Sequence, residues 1–120
     1  MSNITGKVLV ISPNGKNIVT SISSLNISDS LTALHSMYKI LSCKLVDYRA
    51  CEIAGLHVEL WFDAKILANN KRQAPRLLLS DGTRIYGNFL IARSDISGRT
   101  IGLTDREIQI LFKWIHQHLN

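Results

Sequence analysis

The residues that could do the most chemistry lie in one basic segment, residues 65–76. Its four basic residues have no acidic residue among them: Lys65, Lys71, Arg72 and Arg76. Arginine forks onto phosphate oxygens, an asparagine amide can bind a sugar or base edge, and a tyrosine ring can stack on a base. The pattern predicts an anion-binding loop facing a strand surface, with these ligand-binding residues: Asn70, Lys71, Arg72, Arg76, Tyr86 and Asn88.

The distribution of charge supports a localised site, although an ordinary solvated loop is the alternative. The chain has 14 basic and 9 acidic residues, a net charge of +5, and residues 65–76 contribute +4 of it. A single anion site is therefore favoured over a surface that coats nucleic acid. Sequence-specific nucleic-acid binding is not expected, because there is no helix-turn-helix pattern, basic helix or aromatic sheet motif.

Patterns typical of enzymes and metal sites are missing from the sequence. There is no glycine-rich phosphate loop, Gly-x-Ser-x-Gly, His-Glu-x-x-His or Cys-x-x-Cys. His116 and His118 are two positions apart, about 200° around a helix, so they cannot readily share an ion. The strand carboxylates are typical of the solvated half of an alternating pattern: Asp47, Glu52, Glu59 and Asp63. We therefore expect no catalysis, no cofactor and no metal.

Cysteine usage and hydropathy indicate the compartment. Cys43 and Cys51 are too few for a disulfide framework, so reduced thiols in the cytoplasm are expected. The first residues lack a basic stretch followed by an apolar one, and no apolar run reaches the ~20 residues of a membrane helix. No membrane partner is expected.

The first half of the chain predicts a hairpin, a helix and two strands. With 46% apolar and 19% charged residues, the 120-residue chain (1–120) suits one packed α+β domain. Residues 7–12 and 17–23 flank an Asn-Gly turn. Apolar residues at three- and four-residue spacing predict a helix at about 28–42, capped by Ser28 or Ser30: Leu31, Leu34, Met37, Tyr38 and Leu41. Strands follow at 44–53 and 57–62.

The second half predicts a loop, a strong strand and a final helix. Residues 64–75 suit an irregular loop, 76–80 fit a turn or a strand, and 83–93 form one strand in which Gly87 marks a bulge or a close approach. Thr104 and Glu107 have capping-box spacing at the start of a helix over 104–119. Its apolar stripe is Ile108, Leu111, Phe112, Ile115 and Leu119. Ile110 and Trp114 widen the buried face or form a dimer contact. The predicted fold is a mainly antiparallel sheet, the N-terminal hairpin plus about three strands, packed by the two helices.

Three segments together resemble a known family. They are Asn70-Lys71-Arg72-Gln73-Ala74, Ile85-Tyr86-Gly87-Asn88-Phe89 and Leu103-Thr104-Asp105-Arg106-Glu107-Ile108. In this order they resemble a small phage- and plasmid-borne family known only as a domain of unknown function, over residues 7–112. The chain departs from it in a shortened turn at Asp63-Ala64 and in a more basic composition. The resemblance implies an accessory protein of a mobile element in the bacterial cytoplasm, and it implies no reaction.

These observations predict a non-enzymatic protein that binds a small anionic ligand. The specific hypothesis is the sequestration of a nucleotide-derived host immune signal, in a homo-oligomer formed through Ile110 and Trp114. The alternative is a protein-interaction module whose basic segment meets an acidic surface of a host defence or restriction protein.

Overall fold

The computed structural model describes residues 4–14, 17–65, 76–78 and 84–118. Eight strands and two helices occur in these ranges. In chain order they are β1 (Thr5–Asn14), β2 (Asn17–Asn26), α1 (Ser30–Leu41), β3 (Val46–Ile53), β4 (Leu56–Asp63), β5 (Arg76–Leu78), β6 (Arg84–Tyr86), β7 (Phe89–Ser94), β8 (Thr100–Ile101) and α2 (Asp105–His118).

The strands form one large antiparallel sheet and one small one. The large sheet has six strands in the order β2-β1-β7-β4-β3, with β8 paired to the end of β7. The strands β5 and β6 pair only with each other among the described residues. This architecture confirms the predicted α+β class with a mainly antiparallel sheet and two helices.

Each face of the large sheet is covered by one helix. Leu9 and Ile11 of β1 belong to the core beneath α2, whereas Val8 and Val10 belong to the core beneath α1. In β7, Phe89 and Ile91 share the α2 side with Leu111 and Ile115 of α2, while Leu90 and Ala92 lie on the α1 side. Burial on both faces explains why β1 and β7 are continuous apolar runs. In β4 only the α2 face is fully buried, and the strand alternates.

The start of α2 confirms the capping box. The backbone N–H of Thr104 donates to Oε1 of Glu107 at 2.8 Å, and the backbone N–H of Glu107 donates to Oγ1 of Thr104 at 3.2 Å. The second oxygen of Glu107 pairs with the guanidinium of Arg93 on β7. One buried carboxylate therefore both caps α2 and ties it to the sheet.

The single strand predicted over residues 83–93 is wrong. The described part of this segment forms two strands, β6 and β7, which lie in different sheets. Gly87 separates them with a φ of +74°. This left-handed backbone conformation turns the chain out of one ladder and into the other.

Two apolar positions predicted to be buried are exposed. Leu31 is 63% exposed, and the buried stripe of α1 consists of Ala33 together with the predicted Met37 and Leu41. Phe112 is 46% exposed beside Ile22 of β2, because β2 is the edge strand and the sheet ends there. Spacing alone did not give the rotation of α1 on the sheet, and it did not show where the sheet ends.

The predicted cap of α1, Ser28 or Ser30, is also wrong. Asp29 is the N-cap, and its Oδ1 accepts the backbone N–H of Thr32 at 2.8 Å. That hydrogen bond is the main cause of an Asp29 pKa below its ordinary value, and the hydroxyl of Thr32 adds to the effect. Aspartate is among the best caps because its carboxylate accepts the otherwise unpaired N–H groups of the first turn.

This cap predicts a measurable pH dependence of stability. A carboxyl whose pKa is lowered by folding stabilises the folded state above its unfolded pKa, and that contribution disappears as the pH falls through the folded pKa. We expect Asp29→Asn, an uncharged cap, to reduce the loss of thermal stability below about pH 4. Unfolding midpoints of both proteins at pH 7, 5, 4 and 3 test this. A difference in midpoint that stays constant with pH would contradict it.

Candidate functional site

A cleft lies between α1 and the face of the large sheet. Its volume is about 290 Å³. Its lining comes from α1, β3, β4, β7 and the β7–β8 hairpin: Ser30, Ala33, Leu34, Met37, Tyr48, Glu59, Trp61, Ser94, Gly98 and Thr100. We call this the α1 cleft. It combines an apolar floor with aromatic and polar walls, which is the usual make-up of a small-molecule site.

One wall of the α1 cleft is a stacked pair of aromatic rings. Tyr48 on β3 is directly opposite Trp61 on β4 in the antiparallel register. The ring centroids are 4.6 Å apart and the ring planes are 28° from parallel. Trp61 also packs against the α1 core, whereas Tyr48 is 46% exposed. The wall is therefore anchored on one side and accessible on the other.

Glu59 brings a half-buried carboxylate into the α1 cleft. Its Oε1 accepts the indole N–H of Trp61 at 3.3 Å, and its Oε2 accepts the hydroxyl of Ser94 at 2.7 Å. No ion pair to Glu59 occurs within the described ranges. Glu59 lies on the more exposed half of the alternating β4 pattern, as expected, but α1 and the β7–β8 hairpin leave it half-buried in the cleft.

The β7–β8 hairpin holds the polar end of the α1 cleft. Oδ1 of Asp95 accepts the backbone N–H groups of Ser97 at 2.9 Å and Arg99 at 3.0 Å, which fixes the predicted turn at residues 97–99. The register places Thr100 opposite Ser94. Exposed Arg99 lines a small recess that shares residues with the cleft and also includes Asp29. A cationic side chain therefore lies next to the cleft.

The residues predicted from the basic segment lie elsewhere or outside the described ranges. Asn70, Lys71 and Arg72 are outside them. Arg76 and Tyr86 are directly opposite each other in the β5–β6 ladder. Half-buried Asn88 immediately precedes the first residue of β7, whereas Ser94 is the last residue of that strand. The structure thus brings Arg76 and Tyr86 together by register and places Asn88 away from the polar end of the α1 cleft.

Sequence reasoning missed the α1 cleft, although one signal for its aromatic wall was available. The turn at Ala54-Gly55 fixes the register of the β3–β4 hairpin, in which Ile53 pairs with Leu56. Counting outward from that pair places Tyr48 opposite Trp61. The contributions of α1 and the β7–β8 hairpin depend on packing between distant segments, which no local pattern encodes.

The described residues offer little of the chemistry that metal sites and nucleophilic catalysis need. They contain no group of three or more His, Cys, Asp or Glu side chains placed to hold a metal ion. Burial raises the pKa of the Cys43 thiol, and nearby Asp63 adds to the rise. The reactive form of cysteine is the thiolate, so the neutral thiol of Cys43 is not an activated nucleophile.

The C-terminal aromatic residues pack within the protomer. Trp114 is half-buried against the α2 core, and the ring of His118 stacks on it with centroids 4.1 Å apart. His116 instead contacts Phe112 and Thr20. This packing fits the wider buried face of α2, and the dimer contact through Ile110 and Trp114 stays a prediction.

Comparison with known proteins identifies the family. The model of a domain of unknown function, DUF3846, matches residues 4–116. The chain belongs to the DUF3846 family. Comparisons with curated proteins and with solved structures give no match. Across the described part of this DUF3846 domain, no helix is long and apolar enough to cross a membrane.

Proposed function

We propose that this DUF3846 protein is a non-enzymatic binding protein for a small nucleotide-like molecule, held in the α1 cleft. The observation that carries the proposal is the exposed Tyr48 ring, stacked on Trp61 beside polar groups in a concave site. Base–aromatic stacking is worth about 1–3 kcal/mol and needs a rigid, accessible ring. The anchored stack supplies one.

The size of the α1 cleft sets the scale of the ligand. Small-molecule sites usually span about 300–1,000 Å³. At about 290 Å³ the cleft is at the lower end of that range. It suits one base and its sugar, with any larger part of the ligand extending into solvent, because the neighbouring recess of about 10 Å³ has room for only about one water.

The anionic part of the ligand is assigned to the Arg99 side of the cleft. A guanidinium is well suited to phosphate because it offers paired N–H donors. The net charge of +5 also favours the approach of an anion. The basic segment, residues 65–76, is a second candidate for phosphate contacts, and its assignment to Asn70, Lys71, Arg72 and Arg76 stays a prediction.

The proposed biological role is the sequestration of a nucleotide-derived immune signal of a bacterial host. The motif resemblance to a phage- and plasmid-borne family supports it, as does a binding cleft without an evident nucleophile or metal cluster in the described ranges. Such a protein would act in the host cytoplasm and release its ligand intact on denaturation. Turnover of the ligand would instead make the protein an enzyme.

Replacing Tyr48 by alanine is expected to weaken nucleotide binding at least tenfold, because it removes the accessible ring of the stack. Tyr48→Phe keeps the ring and should bind within about twofold of the parent protein. Phe112→Ala is the matched control, since Phe112 has the same 46% exposure but contacts His116 on α2, on the opposite face of the sheet. Calorimetric titration with the four 5′-mononucleotides and with cyclic dinucleotides measures the effect.

Two results would contradict the proposed function. The first is no binding and no thermal stabilisation by any nucleotide at several hundred micromolar, because a ligand at a hundredfold excess over its Kd stabilises by about 2.7 kcal/mol. The second is equal weakening by Tyr48→Ala and Phe112→Ala, which would place the site away from the aromatic wall.

The alternative function is inhibition of a host defence or restriction protein through the basic segment. The concentration of +4 in residues 65–76 favours it, because an acidic protein surface is a natural partner for such a basic segment. Affinity capture from host lysate separates the two functions: a sequestering protein returns a nucleotide, whereas an inhibitor returns a protein.

A further inference from the structure

We infer that the α1 cleft selects guanine over the other bases, with Glu59 as the residue that determines specificity. This inference rests on the proposed function, since it names the base that the cleft would hold. The juxtaposition that carries it is a half-buried carboxylate next to an accessible aromatic stack in one concave site.

Glu59 can accept more hydrogen bonds than it receives from Trp61 and Ser94. An ionised carboxylate only accepts hydrogen bonds, and its two oxygens have about four acceptor positions. Trp61 and Ser94 each donate to one oxygen, which fixes the carboxylate and leaves acceptor capacity on both. Because no cation pairs with Glu59 in the described ranges, a ligand with N–H donors would compensate its partial burial.

The four bases differ in the N–H donors that they can offer to a carboxylate. Guanine presents two adjacent N–H donors, N1–H and N2–H, which match the two oxygens of a carboxylate. Adenine and cytosine each offer an amino group beside a ring acceptor, and uracil offers one N–H between two carbonyl oxygens. Those acceptors would face the lone pairs of Glu59, and unpaired buried polar groups are costly. Guanine is the base whose edge the carboxylate fits on both oxygens.

The carboxylate of Glu59 and the aromatic wall lie on the same face of the sheet. Glu59 and Trp61 are two residues apart on β4, so both side chains lie on the α1 face of the sheet. Tyr48 is opposite Trp61 in the register. A base stacked on this wall would approach Glu59 with one edge, while its phosphate would remain at the open rim of the cleft, where Arg99 is exposed.

A cationic ligand is the chemistry that competes with guanine for this site. Aromatic rings with a carboxylate also attract ammonium and guanidinium groups. Exposed Arg99 beside the cleft favours the guanine nucleotide, because its guanidinium can bind a phosphate at the cleft rim. Agmatine, a small guanidinium compound without phosphate, distinguishes the two.

Calorimetric titration of the full chain with GMP, AMP, CMP, UMP, guanosine and agmatine tests the inference. We expect GMP to bind at least tenfold more tightly than the other three nucleotides. Glu59→Gln should weaken GMP at least tenfold and tighten AMP, because a glutamine amide keeps one acceptor and replaces the other with a donor, which matches the amino group and ring acceptor of adenine. Glu52→Gln is the matched control, since Glu52 is an exposed carboxylate on the same face of neighbouring β3.

The outcomes separate the inference from the proposed function. If all four nucleotides bind the parent protein with similar affinity, guanine selection is wrong and the binding function stands. If agmatine binds more tightly than GMP, the cleft is a cation site and the inference fails. If Glu59→Gln weakens every nucleotide equally while retaining the parent's thermal midpoint, Glu59 does not determine specificity. If no nucleotide binds, the proposed function fails as well.

Discussion

Replacing Glu107 by alanine is expected to lower the free energy of unfolding by about 3 kcal/mol. The Glu107 side chain is only 11% exposed, and its carboxylate accepts the backbone N–H of Thr104 while pairing with Arg93. Its removal uncaps α2 and leaves the guanidinium of Arg93 without its ion pair, although the hydrogen bond from Nε to the carbonyl of His57 at 3.3 Å remains. Urea denaturation followed by circular dichroism measures the loss.

Asp105→Ala is the matched control for Glu107→Ala. Asp105 is also in the first turn of α2 and also forms an ion pair, with Lys7 at 2.9 Å, but both side chains are more than half exposed. Exposed pairs contribute about 0–1 kcal/mol because solvent screens them. Similar losses for the two substitutions would show that Glu107 acts only through its charge at the helix end.

A double-mutant cycle separates the two roles of Glu107. Arg93→Ala removes the ion pair and keeps the cap, so the double variant should be less destabilised than the sum of the single variants. We expect a coupling energy of at least about 1 kcal/mol between the two residues. Strict additivity would mean that the cap alone accounts for the effect of Glu107.

The parts of the fold that the sequence predicted are those set by local chemistry. The capping box of α2 needs only Thr104 and Glu107 at the right spacing, and both expected hydrogen bonds are present. The strand β4 alternates because every second residue faces the core beneath α2, where Val58, Leu60 and Phe62 are buried together. Such patterns follow from the spacing of residues within one helix or strand, so they can be predicted without knowledge of distant contacts.

The parts that the sequence did not predict depend on packing between distant segments. Glu59 resembles any solvated strand carboxylate until residues 30–37 and 94–100 close over it. Leu31 fits an apolar helical stripe, but the rotation of α1 on the sheet selects Ala33 instead. Because the α1 cleft consists mainly of such contacts, the sequence alone predicts a site only in the basic segment, whose residues are close together in the chain.

The second large effect on stability is expected at Gly102, where the chain between β8 and α2 crosses β1. Gly102→Ala should lower the free energy of unfolding by about 3 kcal/mol, the upper part of the usual range for overpacking. A methyl group on Gly102 would lie 2.6 Å from Cα of Gly6 and 2.7 Å from the backbone nitrogen of Lys7. These are backbone atoms of β1, which cannot rotate away as the end of a side chain could.

The same crossing explains why relaxation would be costly. The backbone N–H of Leu103 donates to the carbonyl of Lys7 at 2.8 Å, immediately beside the contact between the glycines. Moving residue 102 away from β1 would stretch this bond and shift the chain that connects β8 to α2. Because Thr100 on β8 lines the α1 cleft, that shift would also displace part of the proposed binding site.

Gly55→Ala distinguishes the steric effect from the general cost of replacing glycine. Gly55 has a φ of +82° and no atom within 4 Å of the added methyl group, so its substitution costs only backbone strain, about 1 kcal/mol. Gly102→Ala should lower the thermal midpoint by about 10 °C, and Gly55→Ala by about a third of that. If the two substitutions cost the same, β1 yields easily at the crossing. In that case the connection from β8 to α2 would not be held by close packing, and the cleft residue Thr100 would need another anchor.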